Sequence, residues 1–225
     1  MSRPFSSSLW LLLATVLLVA ALLPFDGTLS QRAQALPPAI VAFNTRITDF
    51  GTFAWMIYGS GSIVIIAYIA SRVAGSDSFS SKSKTAWRLA LYFLVTIGSA
   101  SALVHVAKLI FGRARPELFA DYGAHSLSWL AGHEWVYQSF PSGHSAAVGS
   151  FFGAFSMLVP RLRILFVLCA LTIGVTRVVV GAHYPSDVAA GLLLGLWAAI
   201  MTAFAFAARN WLFRSDEKGW PRPKS

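Results

Sequence analysis

Hydrophobic positions fall into six runs, at about Leu9–Phe25, Phe53–Ala70, Trp87–Phe111, His144–Val159, Leu162–Val180 and Asp187–Ala207. A membrane-spanning helix needs about 20 mostly apolar residues. The pattern therefore predicts an all-α polytopic membrane protein with six transmembrane helices in a bundle. The inner stretch Ser71–Ala86 is Ser- and Lys-rich and reads as a solvated connector. Pro38–Phe50 mixes Ile40, Val41, Phe43 and Ile47 with polar residues, the pattern of a helix lying on the membrane surface. Residues 112–141 make the longest loop and mix Trp129, Trp135, Tyr137 and Phe140 with Asp121, His125, His133 and Glu134. The whole chain, 1–225, reads as one domain.

Composition agrees with that picture. Hydrophobic residues make up 56% and charged residues 12%, with mean hydropathy +0.63. Soluble domains carry about 25% charged residues. These values exclude a disordered chain, a nucleic-acid-binding tail and an ordinary soluble globule. The net charge of +9 arises mainly from cations flanking the apolar runs, so no nucleic-acid partner is expected. With the N-terminus inside, the inner set is Arg3, Arg72, Lys82, Lys84, Arg88, Arg161, Arg163, Arg209, Arg214, Lys218, Arg222 and Lys224. The outer set, Arg32, Arg46, Lys108, Arg113, Arg115 and Arg177, is half as large. The positive-inside rule thus predicts cytoplasmic N- and C-termini. Trp87, Trp211 and Trp220 then fall near the inner interface. Ala33-Gln34-Ala35 resembles a cleavage site but lies well past the first apolar run, so a retained anchor is expected. Cys169, a lone cysteine in an apolar run, reads as a small core residue.

Ionisable residues at membrane depth are costly and mark function by default. Here Lys108, Arg113 and Arg115 close the third run, His144 opens the fourth, Arg177 ends the fifth, and His183 and Asp187 open the sixth. In the orientation above all seven lie at outer ends of spans. Several fixed cations with two histidines and few acids suit an anion with several oxygens, phosphate above all. Lys108 and Arg115 are two helical turns apart and would share one face, with Pro116 forcing a turn after them. Pro141-Ser142-Gly143-His144 reads as a helix start, where free N–H groups bind anions. Pro185 suits the first turn of the last helix, and Asp187 could reach back to His183 and fix its tautomer.

Other residues read more plainly. His105 reads as a packed intramembrane side chain. His125, His133 and Glu134 match no metal-ligand spacing and read as loop residues. Arg113 suits phosphate or a lipid head group equally.

Together the three segments resemble the type-2 phosphatidic acid phosphatase (PAP2) family. Its signature, Lys-x6-Arg-Pro, Pro-Ser-Gly-His and Ser-Arg-x5-His-x3-Asp, reads here as Lys108…Arg115-Pro116, Pro141–His144 and Thr176-Arg177…His183…Asp187, with Thr176 in place of Ser. The resemblance implies a phosphohistidine mechanism. His183 would be the nucleophile, Asp187 its orienting acid and His144 the general acid and base. Lys108, Arg115, Ser142, Gly143 and Arg177 would bind the phosphoryl oxygens. It also implies no cofactor and no metal, and a membrane lipid phosphate or diphosphate as substrate: undecaprenyl diphosphate, phosphatidylglycerophosphate, phosphatidic acid or lipid A. No obligate protein partner is implied. A bacterial inner membrane with the site facing the periplasm is the expected setting. Two alternatives stay open at this point, a lipid phosphotransferase on the same scaffold and a non-catalytic anion or lipid transporter. The soluble haloperoxidases share the signature, but six spans argue against that assignment.

Overall fold

In the computed structural model, residues 3–224 are described. The helices are α1 (Arg3–Leu22), α2 (Asp26–Gln34), α3 (Pro38–Asp49), α4 (Phe53–Val73), α5 (Asp77–Phe111), α6 (Phe119–Tyr122), α7 (Gly143–Leu158), α8 (Arg163–Val179) and α9 (Pro185–Ala208). Five helical segments are long and apolar enough to cross a membrane: Pro4–Gln34, Pro38–Val73, Asp77–Phe111, Pro160–Val179 and Pro185–Ala208. The fourth apolar run is also helical, as α7, but at 16 residues it is the shortest of the six. A helix does form in the Pro38–Phe50 stretch, as α3, and it packs on α8.

The Ser/Lys-rich stretch Ser71–Ala86 is not the connector its polarity predicts. Only Ala74–Ser76 interrupt the helices there, and the polar Ser/Lys stretch belongs to the start of α5. The Ser76 hydroxyl caps that start by accepting from the Phe79 N–H at 3.3 Å. With 35 residues α5 is about 52 Å long, more than the roughly 30 Å hydrocarbon core, so its polar first turns can lie beyond it.

The chain after α9 adds a small antiparallel hairpin to the helical body, β1 (Phe213–Ser215) with β2 (Pro221–Pro223). Gly219 supplies the positive φ of 73° in its turn, and Asp216 Oδ1 accepts from the Lys218 and Trp220 N–H groups. Phe213 is fully buried against Tyr92, 5.1 Å between ring centroids. Nearby, the Trp87 and Trp211 rings meet edge to face at 5.5 Å, and the Arg88 guanidinium lies over both. These aromatics and cations gather at the end of the bundle away from the three motifs.

At the centre α7 packs on α9 through small residues. Helices in lipid gain no hydrophobic advantage from meeting each other, so close backbone approach drives their association. A Cβ on Gly191 would fall on the Ser142 carbonyl, and one on Gly195 on the Ala146 carbonyl. Gly149 meets the Leu192 backbone in the same way. The Tyr92 hydroxyl ties α5 to this pair by donating to the Ala199 carbonyl at 2.9 Å. Helix α1 lies on the outside of the bundle, with Trp197 Nε1 donating to Ser8 Oγ at 2.9 Å.

Candidate active site

The three motifs meet at one end of the bundle. Helix α5 stops at Phe111 because Gly112 adopts a left-handed conformation, φ 52°, and returns its N–H to the Lys108 carbonyl at 3.1 Å. Lys108 and Arg115 therefore do not share a helix face. The turn comes at Gly112, ahead of Pro116, and Arg115 is extended at φ −77° and ψ 162°. The segment then folds back over the helix end. The Ser128 N–H donates to the Gly112 carbonyl and the Leu130 N–H to that of Ile110, at 2.9 and 3.0 Å.

Lys108 is buried, and its Nζ donates to the Gln138 carbonyl. Its Cε passes close to Gly143, where a Cβ would sit 3.9 Å away. Arg115 is buried against Trp135: the guanidinium carbon is 3.6 Å from the ring centroid, and Nε donates to the Trp135 carbonyl at 3.0 Å. Its NH1 also reaches the Ala182 carbonyl, next to His183, at 3.4 Å. Burial pulls the Arg115 pKa down to about 10, with Glu117 opposing and the nearby Arg177 charge reinforcing the fall. Arg177 NH1 donates to Thr48 Oγ1 of α3 at 3.0 Å, while its buried Nε has no partner among the described residues.

Pro141–His144 forms the start of α7. Ser142 is the N-cap, its Oγ accepting from the Ser145 N–H at 3.3 Å and from the Ser145 hydroxyl at 2.9 Å. That hydroxyl stabilises the helix start while the Ser142 N–H is spent on the Asp187 carbonyl at 3.0 Å. His144 is half-buried in the first turn of α7.

His183 and Asp187 are both buried, at 2% and 0% exposure. Gly181, φ 70°, turns the chain after α8, and the His183 N–H returns to the Arg177 carbonyl at 3.2 Å. His183 Nδ1 faces Asp187 Oδ2 at 3.7 Å, just outside hydrogen-bond reach, and has no partner among the described residues. Oδ2 instead accepts from the Ser139 hydroxyl at 2.6 Å and the Tyr184 N–H at 2.9 Å. Burial pushes the His183 imidazole down to about 3, against the pull of Asp187, with Lys108 and Arg115 adding to the fall. Burial therefore favours the neutral imidazole at ordinary pH.

Arg113 points into the bundle rather than toward a head group or an open anion site. Its NH1 meets Asp187 Oδ1 at 2.5 Å and its NH2 meets Asp26 Oδ2 at 2.7 Å. Burial opposes the Arg113 charge, but the two carboxylates outweigh it and raise its pKa. Asp26, Ser139, Ser186 and Thr48 are the buried polar residues at the site that sequence reasoning missed. Asp26 ends an apolar run, so the criterion of charge at membrane depth pointed to it. The other three carry no such signal.

The remaining candidates lie apart. His105 is exposed on the outer surface of α5, not packed within the bundle. His125 is exposed, with Nε2 2.9 Å from the Leu23 carbonyl, and His133 and Glu134 are exposed beside each other at 3.8 Å. Cys169 is half-buried in α8 rather than part of the core. Among the described residues no three His, Cys, Asp or Glu side chains are grouped to hold a metal ion.

A buried histidine facing a carboxylate, with the Lys108 and Arg115 charges near it, is an arrangement that can carry phosphoryl transfer. Residues 89–211 match the model of the PAP2 superfamily. The chain is 39% identical over 211 residues to the lipid A 1-phosphatase of Rhizobium johnstonii, covering 92% of this chain and 83% of that one. Its fold is similar to a transmembrane PAP2-type phosphatidylglycerolphosphate phosphatase from Bacillus subtilis, with TM-score 0.62, 23% identity, and coverage of 93% and 98%. It is also similar to Aquifex aeolicus LpxE, with TM-score 0.53, 21% identity, and coverage of 78% and 92%. The chain belongs to the PAP2 superfamily and is an integral membrane phosphatase of that type.

Proposed function

We propose that this protein hydrolyses a phosphate from a membrane lipid phosphate or diphosphate, at the outer face of a bacterial inner membrane, through a phosphohistidine. The observation that carries the reading is the buried, neutral His183 with its Nδ1 edge turned to Asp187 and its neighbourhood occupied by Arg115 and Lys108. Because Nδ1 faces the carboxylate, Nδ1 carries the proton and Nε2 is the attacking atom. Nε2 forms a bond to phosphorus as the bond to the lipid oxygen breaks, and His144 gives that oxygen its proton. Water then attacks the phosphohistidine, His144 takes the water's proton, and phosphate leaves with His183 restored. Lys108, Arg115, Arg177 and the Gly143 and His144 N–H groups hold the oxygens as charge builds on them. No metal is required for these steps.

The similarity to the lipid A 1-phosphatase of Rhizobium johnstonii favours a lipid A-type glycolipid phosphate over the other candidates. The test is phosphate release by detergent-purified protein with chelator present. The panel is lipid A, undecaprenyl diphosphate, phosphatidylglycerophosphate, phosphatidic acid and a soluble phosphate ester, with His183→Ala as control. Release fastest from lipid A, with an acid-labile phosphoenzyme that His183→Ala lacks, is the expected result. Full activity in His183→Ala overturns the mechanism. Faster release from another lipid overturns the substrate. Phosphate appearing on an added acceptor lipid rather than in water makes the enzyme a phosphotransferase.

A further inference from the structure

We propose that Asp26 and Arg113 are positioning residues, a charged pair that aims Asp187 at His183. The inference rests on the reading of His183 and Asp187 given above. An arginine side chain has five N–H donors. Arg113 directs all five inward: Nε and NH2 to the Ala124 carbonyl at 3.1 and 2.6 Å, NH1 to Ser186 Oγ at 2.7 Å and Asp187 Oδ1 at 2.5 Å, and NH2 to Asp26 Oδ2 at 2.7 Å. Its flat face lies on the Tyr184 ring, 4.5 Å from the centroid. With 3% exposure and no donor left over, it has nothing to offer a phosphate or a head group.

Asp26 comes from the first turn of α2, far from the motifs in sequence, yet it is as buried as Asp187. Its Oδ1 accepts from the Ser186 N–H at 2.9 Å, and its Oδ2 accepts from the Ser186 hydroxyl at 2.5 Å as well as from Arg113. It therefore anchors the guanidinium and the first turn of α9 at once. Asp187 sits in that same turn. Its Oδ1 is held by Arg113, which leaves Oδ2 as the oxygen that faces His183 Nδ1. A guanidinium locked on two carboxylates cannot swing away, so the Asp187 carboxylate keeps its plane when the imidazole gains charge. At metal sites, losing the partner that orients a ligand costs about 10- to 100-fold, and a loss of the same order is expected for the partner of a reacting imidazole's carboxylate.

The experiment is steady-state kinetics and thermal unfolding in detergent for Asp26→Asn, Ser186→Ala and Arg113→Lys, with Lys108→Ala and His183→Ala alongside, on the best lipid of the panel. The expected result is a fall in kcat of about 10-fold or more in the three network variants with KM within about 2-fold, whereas Lys108→Ala raises KM. Ser186→Ala removes one hydroxyl and keeps both charges, so it reports the effect even where Asp26→Asn fails to fold. A raised KM with unchanged kcat in Arg113→Lys makes Arg113 a substrate ligand and overturns the proposal. Unchanged kinetics, or loss of folded protein in all three, overturns it in favour of a structural role. Activity in His183→Ala overturns the underlying site reading instead. An inactive His183→Ala with normal Asp26→Asn and Ser186→Ala overturns this inference alone.

Discussion

The Ser142 N–H donates to the Asp187 carbonyl at 3.0 Å, joining the start of α7 to the first turn of α9. This one backbone bond links the second motif to the third, across 45 positions of sequence. It forms only because the two helices touch, and they touch because Gly191 faces the Ser142 carbonyl. Gly191→Ala therefore places a methyl group against main chain that has no room to give. The expected cost is about 1–3 kcal/mol of stability, with a loss of kcat as the start of α7, which carries His144, shifts relative to α9. Thermal unfolding in detergent and lipid phosphatase assays check both.

The His183 imidazole, with a pKa of about 3 in the fold, stays neutral where an unfolded histidine, near 6.5, takes a proton. The unfolded state thus binds more protons below pH 6.5. This group leaves stability unchanged above pH 6.5 and lowers it steadily as pH falls toward 3. His183→Asn is expected to remove that part of the acid sensitivity. Unfolding midpoints from pH 4 to 7 for both proteins measure it, and parallel curves would count against a neutral buried His183.

Trp135 supports Arg115 from the loop before α7, and the ring is itself 59% exposed. Cation–π contacts at exposed positions contribute about 0.5–1 kcal/mol. Trp135→Ala is expected to raise KM about two- to five-fold while leaving kcat close to its starting value. Trp135→Phe should recover most of the difference. Initial rates over a range of lipid in mixed micelles give both constants.

Thr48 belongs to α3, outside the three motifs, yet its hydroxyl accepts from Arg177 NH1 at 3.0 Å and it is 4% exposed. Hydrogen bonds to charged groups are worth about 1.5–3 kcal/mol. Thr48→Val keeps the shape and removes the acceptor, so KM is expected to rise about 10-fold or more. Thr48→Ser keeps the hydroxyl and should stay near the starting KM. Equal behaviour of the two variants would separate α3 from the site.

Much of the candidate site was readable one residue at a time. Lys108, Arg115, His144, Arg177, His183 and Asp187 stood out because charge and imidazole are expensive beside apolar runs, and Ser142 because Pro141–His144 reads as a helix start. The turn before Arg115 was less legible, because Pro116 drew attention while Gly112 ends the helix. The Ser/Lys stretch before Trp87 read as a loop because its polarity reports water, not backbone shape. Arg113 was open between two external ligands, and in the fold its donors go to Ala124, Ser186, Asp187 and Asp26 instead.

The sequence by itself determined the helical membrane class, the order of the motifs and the residue types at the candidate site. Those follow from hydropathy and local chemistry, which act within one run or one turn. Tertiary structure alone decided that Asp26 reaches Arg113, that Ser139 and Tyr184 hold the Asp187 oxygen facing His183, and that Thr48 of α3 supports Arg177. These partners lie on separate elements. Their contacts depend on how closely the small residues of α7 and α9 let the backbones approach, a distance that no single segment encodes.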